Sequence, residues 1–103
     1  MTLAKQRATV LRATTGVGLT AVAGEATISL IWDPNEEPDL DGYIVLRRAA
    51  PDVPWTRITP QPIQETTFRD TVAPEAHFWY SVQALDKTGN VSEAAPPVDE
   101  TAR

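Results

Sequence analysis

From Leu19 to Thr101, apolar and polar residues alternate with a period of two, in short runs broken by turn-forming clusters. Successive side chains of a strand point to opposite faces, so this alternation marks half-buried strands. In Ala26–Trp32, the residues Ile28, Leu30 and Trp32 share one face while Thr27, Ser29 and Ile31 share the other. Leu19 and Ala21 repeat the pattern in a preceding short strand, with Gly24-Glu25 as the turn. In Gly42–Arg48, Tyr43 and Val45 alternate with Ile44 and Leu46. In Phe78–Leu85, Phe78, Tyr80, Val82 and Ala84 alternate with Trp79, Ser81, Gln83 and Leu85. Trp55–Ile58 and Thr66–Arg69 predict two shorter strands, and Val91–Thr101 a last one. Pro96 and Pro97 cannot donate to a ladder, which makes that last strand an edge or a bulged one. Asp33-Pro34-Asn35, Ala50-Pro51-Asp52, Pro60-Gln61-Pro62, Val72-Ala73-Pro74 and Asp86–Asn90 supply the turns. Seven short strands with no convincing helix among them predict a β-sandwich.

The first eighteen residues have a different texture. Leu3, Arg7, Val10 and Leu11 are spaced as on a helix, but Thr9, Thr14 and Thr15 are weak helix formers. The segment lacks the continuous apolar core and small-residue cleavage site of a secretory signal. Residues 1–18 are therefore expected to be a linker or N-terminal extension, and residues 19–103 the domain; a docked extra strand or helix is the alternative.

The runs "LTAVAGEATISLIWDPNEEPDLDGYIVLRR" and "TTFRDTVAPEAHFWYSVQALDKTGNVSE" resemble a fibronectin type III domain of the bacterial kind. Trp32 matches that family's core tryptophan on strand B, Tyr43 and Val45 the inward residues of strand C, and Tyr80, Val82 and Ala84 those of strand F. Val72 matches the apolar residue before the E–F corner. The resemblance covers about Val17 to Thr101. It implies an all-β, immunoglobulin-like β-sandwich of seven antiparallel strands, in sheets A-B-E and C'-C-F-G. Two positions depart from the family's pattern. The corner tyrosine is Phe78, which has no hydroxyl to return to the backbone, and the residue after the corner proline, Gly in many members, is Glu75. The F–G loop reads Asp86-Lys87-Thr88-Gly89-Asn90, with no Arg-Gly-Asp.

Composition narrows the function classes. The 103 residues include no Cys and a single His, so thiolate sites, disulfides and two-histidine chemistry are excluded. From Leu19 onward six Lys/Arg face fourteen Asp/Glu, a balance that disfavours nucleic acid and anionic membrane surfaces. No run approaches the ~20 apolar residues of a membrane span.

Candidate chemistry is sparse. Asp33, Glu36, Glu37, Asp39 and Asp41 crowd one loop, but Pro34 and Pro38 interrupt it and no Gly stands where a helix-flanked calcium loop needs one. A solvated turn explains these residues, and no metal or cofactor is expected. Asp86 is placed to cap its own hairpin, near Gly89. His77, at the start of strand F, is expected to be solvent-exposed, and no catalytic residue is assigned. The better candidate is a binding surface. Trp79 and Leu85 on strand F, with Ile44, Leu46 and Arg48 on strand C, fall on the outward phase of one sheet and would form an exposed apolar patch. Trp55 or the N-terminal segment could instead cover it. Glu36, Glu37 and Asp39, with Asp86 of the F–G loop, make a second candidate surface.

The resemblance implies a non-catalytic spacer and interaction module of a larger secreted or cell-surface bacterial protein, extracellular or periplasmic, contacting a protein or a neighbouring domain. The alternative is an accessory carbohydrate-binding module of a glycoside hydrolase, with polysaccharide as partner. Whether Trp79 is exposed beside polar groups or buried by Trp55 discriminates between them.

Overall fold

The computed structural model describes residues 18–34 and 38–103. Among them, seven strands follow one another: β1 (Thr20–Gly24), β2 (Thr27–Ile31), β3 (Leu40–Arg48), β4 (Thr56–Arg57), β5 (Thr67–Thr71), β6 (His77–Asp86) and β7 (Val98–Thr101). They form two antiparallel sheets, β1-β2-β5 and β4-β3-β6-β7. This is the expected sandwich, with β1, β2 and β5 as strands A, B and E, and β4, β3, β6 and β7 as C', C, F and G.

Burial follows the inward phase read from the sequence. Ile28, Leu30, Trp32, Tyr43, Val45, Tyr80, Val82 and Ala84 make up the core together with Ala102. Trp32 meets Tyr43 edge to face, with ring centroids 5.5 Å apart, a geometry that places the positive edge of one ring on the negative face of the other. Leu19, Ala21, Phe68, Val72 and Phe78 pack against this cluster from its rim.

Two strand ends differ from expectation. Trp55 and Ile58 fall outside β4, which keeps only Thr56 and Arg57 opposite Arg47 and Leu46. The stretch expected as one last strand is divided: Val91 makes a single bridge to Leu85, and the regular ladder resumes at Val98. Pro96 and Pro97 lie in the gap, where their missing N–H groups break the pairing. The chain still follows β6 there, because Ser92 and Ala95 donate their N–H groups to the carbonyls of Ala84 and Val82.

The chain enters and leaves the sandwich at opposite poles. Gly18 lies against the Asp33 carboxylate, at the start of β1. At the other end of β1, Arg103 donates its N–H to the Gly24 carbonyl (2.8 Å), while Ala26 donates to the Arg103 carbonyl (2.7 Å). Ala102 exchanges bonds with the E–F corner, donating to Ala76 and accepting from Glu75. Consecutive C-terminal residues therefore tie one sheet to the other. The five residues of β1 separate entry from exit by roughly 17 Å.

Candidate functional site

The outer face of the four-stranded sheet is not the apolar patch that its sequence suggests. Ile44 and Leu46 are buried, at 5% and 9% exposure. β3 runs inside its sheet, so on this face Gln83 stands opposite Ile44, and Ser81 and Arg57 flank Leu46. Neighbours on both sides shield the two apolar side chains, an effect that alternation along one strand cannot reveal. Trp79 and Leu85 are half-buried.

What this face presents is a row across the strands. Asp99 of β7 pairs with Trp79 of β6, and Trp79 pairs with Arg48 of β3. The Arg48 guanidinium lies over the Trp55 ring, 4.1 Å from its centroid. One step further along the β3–β4 register, Trp55 falls opposite Arg48. His77 meets Trp79 edge-on, with ring centroids 4.7 Å apart. Its Nε2 lies 2.9 Å from an Asp99 carboxylate oxygen, and its Nδ1 faces the Thr101 hydroxyl. His77 is thus exposed, as expected, and held in place by β7. Trp79 stands among polar groups, and Arg48 separates it from Trp55.

The other sequence candidates separate. Asp86 is 1% exposed, and its carboxylate turns inward on its own loop. One oxygen accepts from the backbone N–H groups of Thr88 (3.0 Å) and Asn90 (2.9 Å) and from the Thr88 hydroxyl (2.9 Å). Burial pushes this carboxyl up, but the bonds from Asn90 and Thr88 outweigh it and hold the pKa below its ordinary value. The hairpin-capping role stands; Asp86 is not an exposed binding group. Asp39 is half-buried, and its carbonyl accepts from Lys87 (2.9 Å). Glu36 and Glu37 lie outside the described residues. Among the described residues, no three His, Asp or Glu side chains converge as a metal site would require.

Sequence reasoning missed one polar cluster inside the sandwich. The Tyr80 hydroxyl donates to Asp70 Oδ2 (2.6 Å), and Arg47 Nη1 donates to the same oxygen (2.9 Å). Arg47 also covers the Phe78 ring, 4.5 Å from its centroid, so the corner phenylalanine is used as an apolar platform. Tyr80 and Arg47 are paired on one sheet and Asp70 belongs to the other, so the cluster clasps the two. Burial, and then the bond to Asp70, pushes the Tyr80 phenol well above its ordinary range and keeps it a donor. The signal was available in outline, since an inward tyrosine needs a partner for its hydroxyl. The partner sits in a different sheet, at no fixed sequence spacing.

On the opposite sheet an open hollow of about 380 Å³ is lined by Val22, Ser29, Leu30, Ile31, Thr67, Phe68 and Arg69. Val22 and Ile31 are half-exposed, at 54% and 51%. Arg69 is the one ionisable side chain in this lining, which leaves no acid–base pair for catalysis there.

No family model matches the chain, and no curated protein does. Solved structures do. A fibronectin type III domain derived from the human KIAA0970 protein superposes with a TM-score of 0.73 at 18% identity, over 95% of this chain and 81% of that one. The fold is fibronectin type III-like. An Fn3-like protein from Clostridium thermocellum superposes with a TM-score of 0.66 at 22% identity, over 85% of this chain and 95% of that one. A β-1,2-glucanase from Parabacteroides distasonis matches with a TM-score of 0.72 at 21% identity, over 85% of this chain. This fibronectin type III-like chain spans only 12% of that glucanase. Such similarity establishes the fold, which hosts many unrelated functions.

Proposed function

We propose that this domain is a non-catalytic accessory module that spaces and positions neighbouring parts of a larger secreted or surface-attached protein. Supporting this reading is the entry of the chain at the Gly18–Asp33 pole and its exit at the Arg103 pole. A rigid sandwich threaded in this way holds its neighbours at a fixed separation. Domains of this fold are built into much longer enzyme chains, the glucanase among them, and a spore cortex lytic enzyme from Clostridium perfringens, 26% of which this chain spans. The faces of the sandwich remain available for contacts with a protein or an adjoining domain.

Spin labels on Thr20→Cys and Arg103→Cys test the geometry directly, because the chain has no other cysteine. A narrow distance distribution of order 20 Å is expected, unchanged when a folded domain is fused to either end. A broad distribution, or one that changes with the fused neighbour, would refute the spacer reading. Product release from polysaccharides by the purified chain would refute the non-catalytic part.

A further inference from the structure

We infer that the row Asp99–Trp79–Arg48–Trp55 is a binding site for a neutral oligosaccharide laid across the strands. This extends the accessory-module reading by naming a ligand class. Four observations carry it.

The first is spacing. Trp79 is the β6 partner of Arg48 and Trp55 falls one register step beyond β4 on its other side, so two interstrand steps, about 10 Å, part their backbone positions. A sugar chain running across the sheet would meet the Trp79 indole and then the Arg48 guanidinium, which is stacked on one face of Trp55. The second is chemistry. One face of a pyranose ring is lined by weakly positive C–H groups that stack on the negative face of an indole, and its hydroxyls demand both donors and acceptors at the rim. Arg48 supplies donors and Asp99 an acceptor. His77, bonded to Asp99 and edge-on to Trp79, holds both in place.

The third is charge. One Arg and one Asp flank the indoles, and Arg57 on the same face is tied to the Thr59 and Pro60 carbonyls, so the row itself is close to neutral. A near-neutral row suits an uncharged ligand. The fourth is shape. Ile44 and Leu46 are buried, so the face lacks the broad apolar centre of a protein–protein contact and offers a narrow strip instead. Within the strip, Arg48 Nε is buried with no hydrogen-bond partner, a condition native proteins keep rare.

The test is a titration of the full chain with neutral glucan, mannan and xylan oligosaccharides, followed through the three tryptophan indole N–H resonances. Trp32 lies in the core and serves as the internal control. With at least one sugar, Trp55 and Trp79 should shift saturably while Trp32 stays still. Trp55→Ala, in an exposed connection beside the two-residue β4, should weaken that binding by about tenfold or more, and Val22→Ala on the opposite sheet should leave it unchanged. Should Trp79→Ala fail to fold, Trp55→Ala and Arg48→Lys still decide. Silence from Trp55 and Trp79 with all three sugars up to about 10 mM, or unchanged affinity in Trp55→Ala, overturns the proposal. So does a shift of these indoles with a folded neighbouring domain and with no sugar. Because the spacer geometry is read from a label distance, its failure and the failure of the sugar site are distinguishable.

Discussion

Asp70→Ala cuts the clasp between the two sheets, and its cost can be worked from the contacts. The Tyr80 side chain is fully buried, so losing its acceptor leaves a hydroxyl without water or partner. That costs about 1–3 kcal/mol. Arg47 loses its carboxylate too, but its side chain is 30% exposed, so solvent screening holds that contribution under about 1 kcal/mol. The sum is about 1–4 kcal/mol, a large share of the 5–15 kcal/mol typical of a domain. The decisive comparison is Tyr80→Phe in two backgrounds. In the wild type it should cost about 1.5–3 kcal/mol, because a hydrogen bond to a charged acceptor is lost. In Asp70→Ala it should cost nothing or restore stability, because it deletes the stranded hydroxyl. Urea unfolding of the four proteins, with constant m-values, reads the cycle. Equal costs of Tyr80→Phe in both backgrounds, within about 0.3 kcal/mol, would show that the clasp is no energetic unit.

Other consequences follow from single residues. The raised Tyr80 phenol contributes stability that is fully present below the unfolded value near 10 and lost as pH rises beyond it, since the unfolded chain releases a proton the folded one keeps; Tyr80→Phe should flatten the alkaline limb of the urea midpoint, and an unaltered limb would contradict this. Asp86, with its pKa held down, contributes stability present above about pH 4 and lost as pH falls below it. Asp86→Ala should cost about 2–3 kcal/mol and speed amide exchange at Thr88 and Asn90, whose protection should otherwise persist. Glu75 sits at φ +67°, where an L-residue is strained by about 1–2 kcal/mol; Glu75→Gly should raise stability by about 0.5–1 kcal/mol after glycine's added unfolded entropy, and a fall in melting temperature would refute it. At the β3 bulge, a methyl on Gly42 would lie 2.9 Å from both the Ile63 carbonyl and Pro62 Cβ, so Gly42→Ala should destabilise by about 1–3 kcal/mol, measured by thermal unfolding.

The site was less legible than the fold. Alternation is local, so it puts Trp79 and Arg48 on one outward phase, and the structure keeps them there as cross-strand neighbours. Ile44 and Leu46 belong to that phase as well, yet they are buried. Phase along a strand tells which face a side chain takes, not whether neighbouring strands cover it. Trp55 joined the row through a register one step beyond a two-residue strand, too short to project from sequence. Asp99 and His77 met because β7 pairs with β6, and no spacing within one strand encodes that pairing.

The sequence alone determined the strands, their inward phase and the sandwich they form, because a period of two and proline-rich turns act over a few residues. The capping of Asp86 by Thr88 and Asn90 was equally local. Only tertiary structure decided which residues would meet: Asp70 with Tyr80 and Arg47 across the core, and Asp99, Trp79 and Arg48 across three strands with Trp55 on the connection before β4. Those meetings depend on the register and stacking of segments far apart in the chain, where the desolvation of each polar group is compensated only by the partner that packing brings to it.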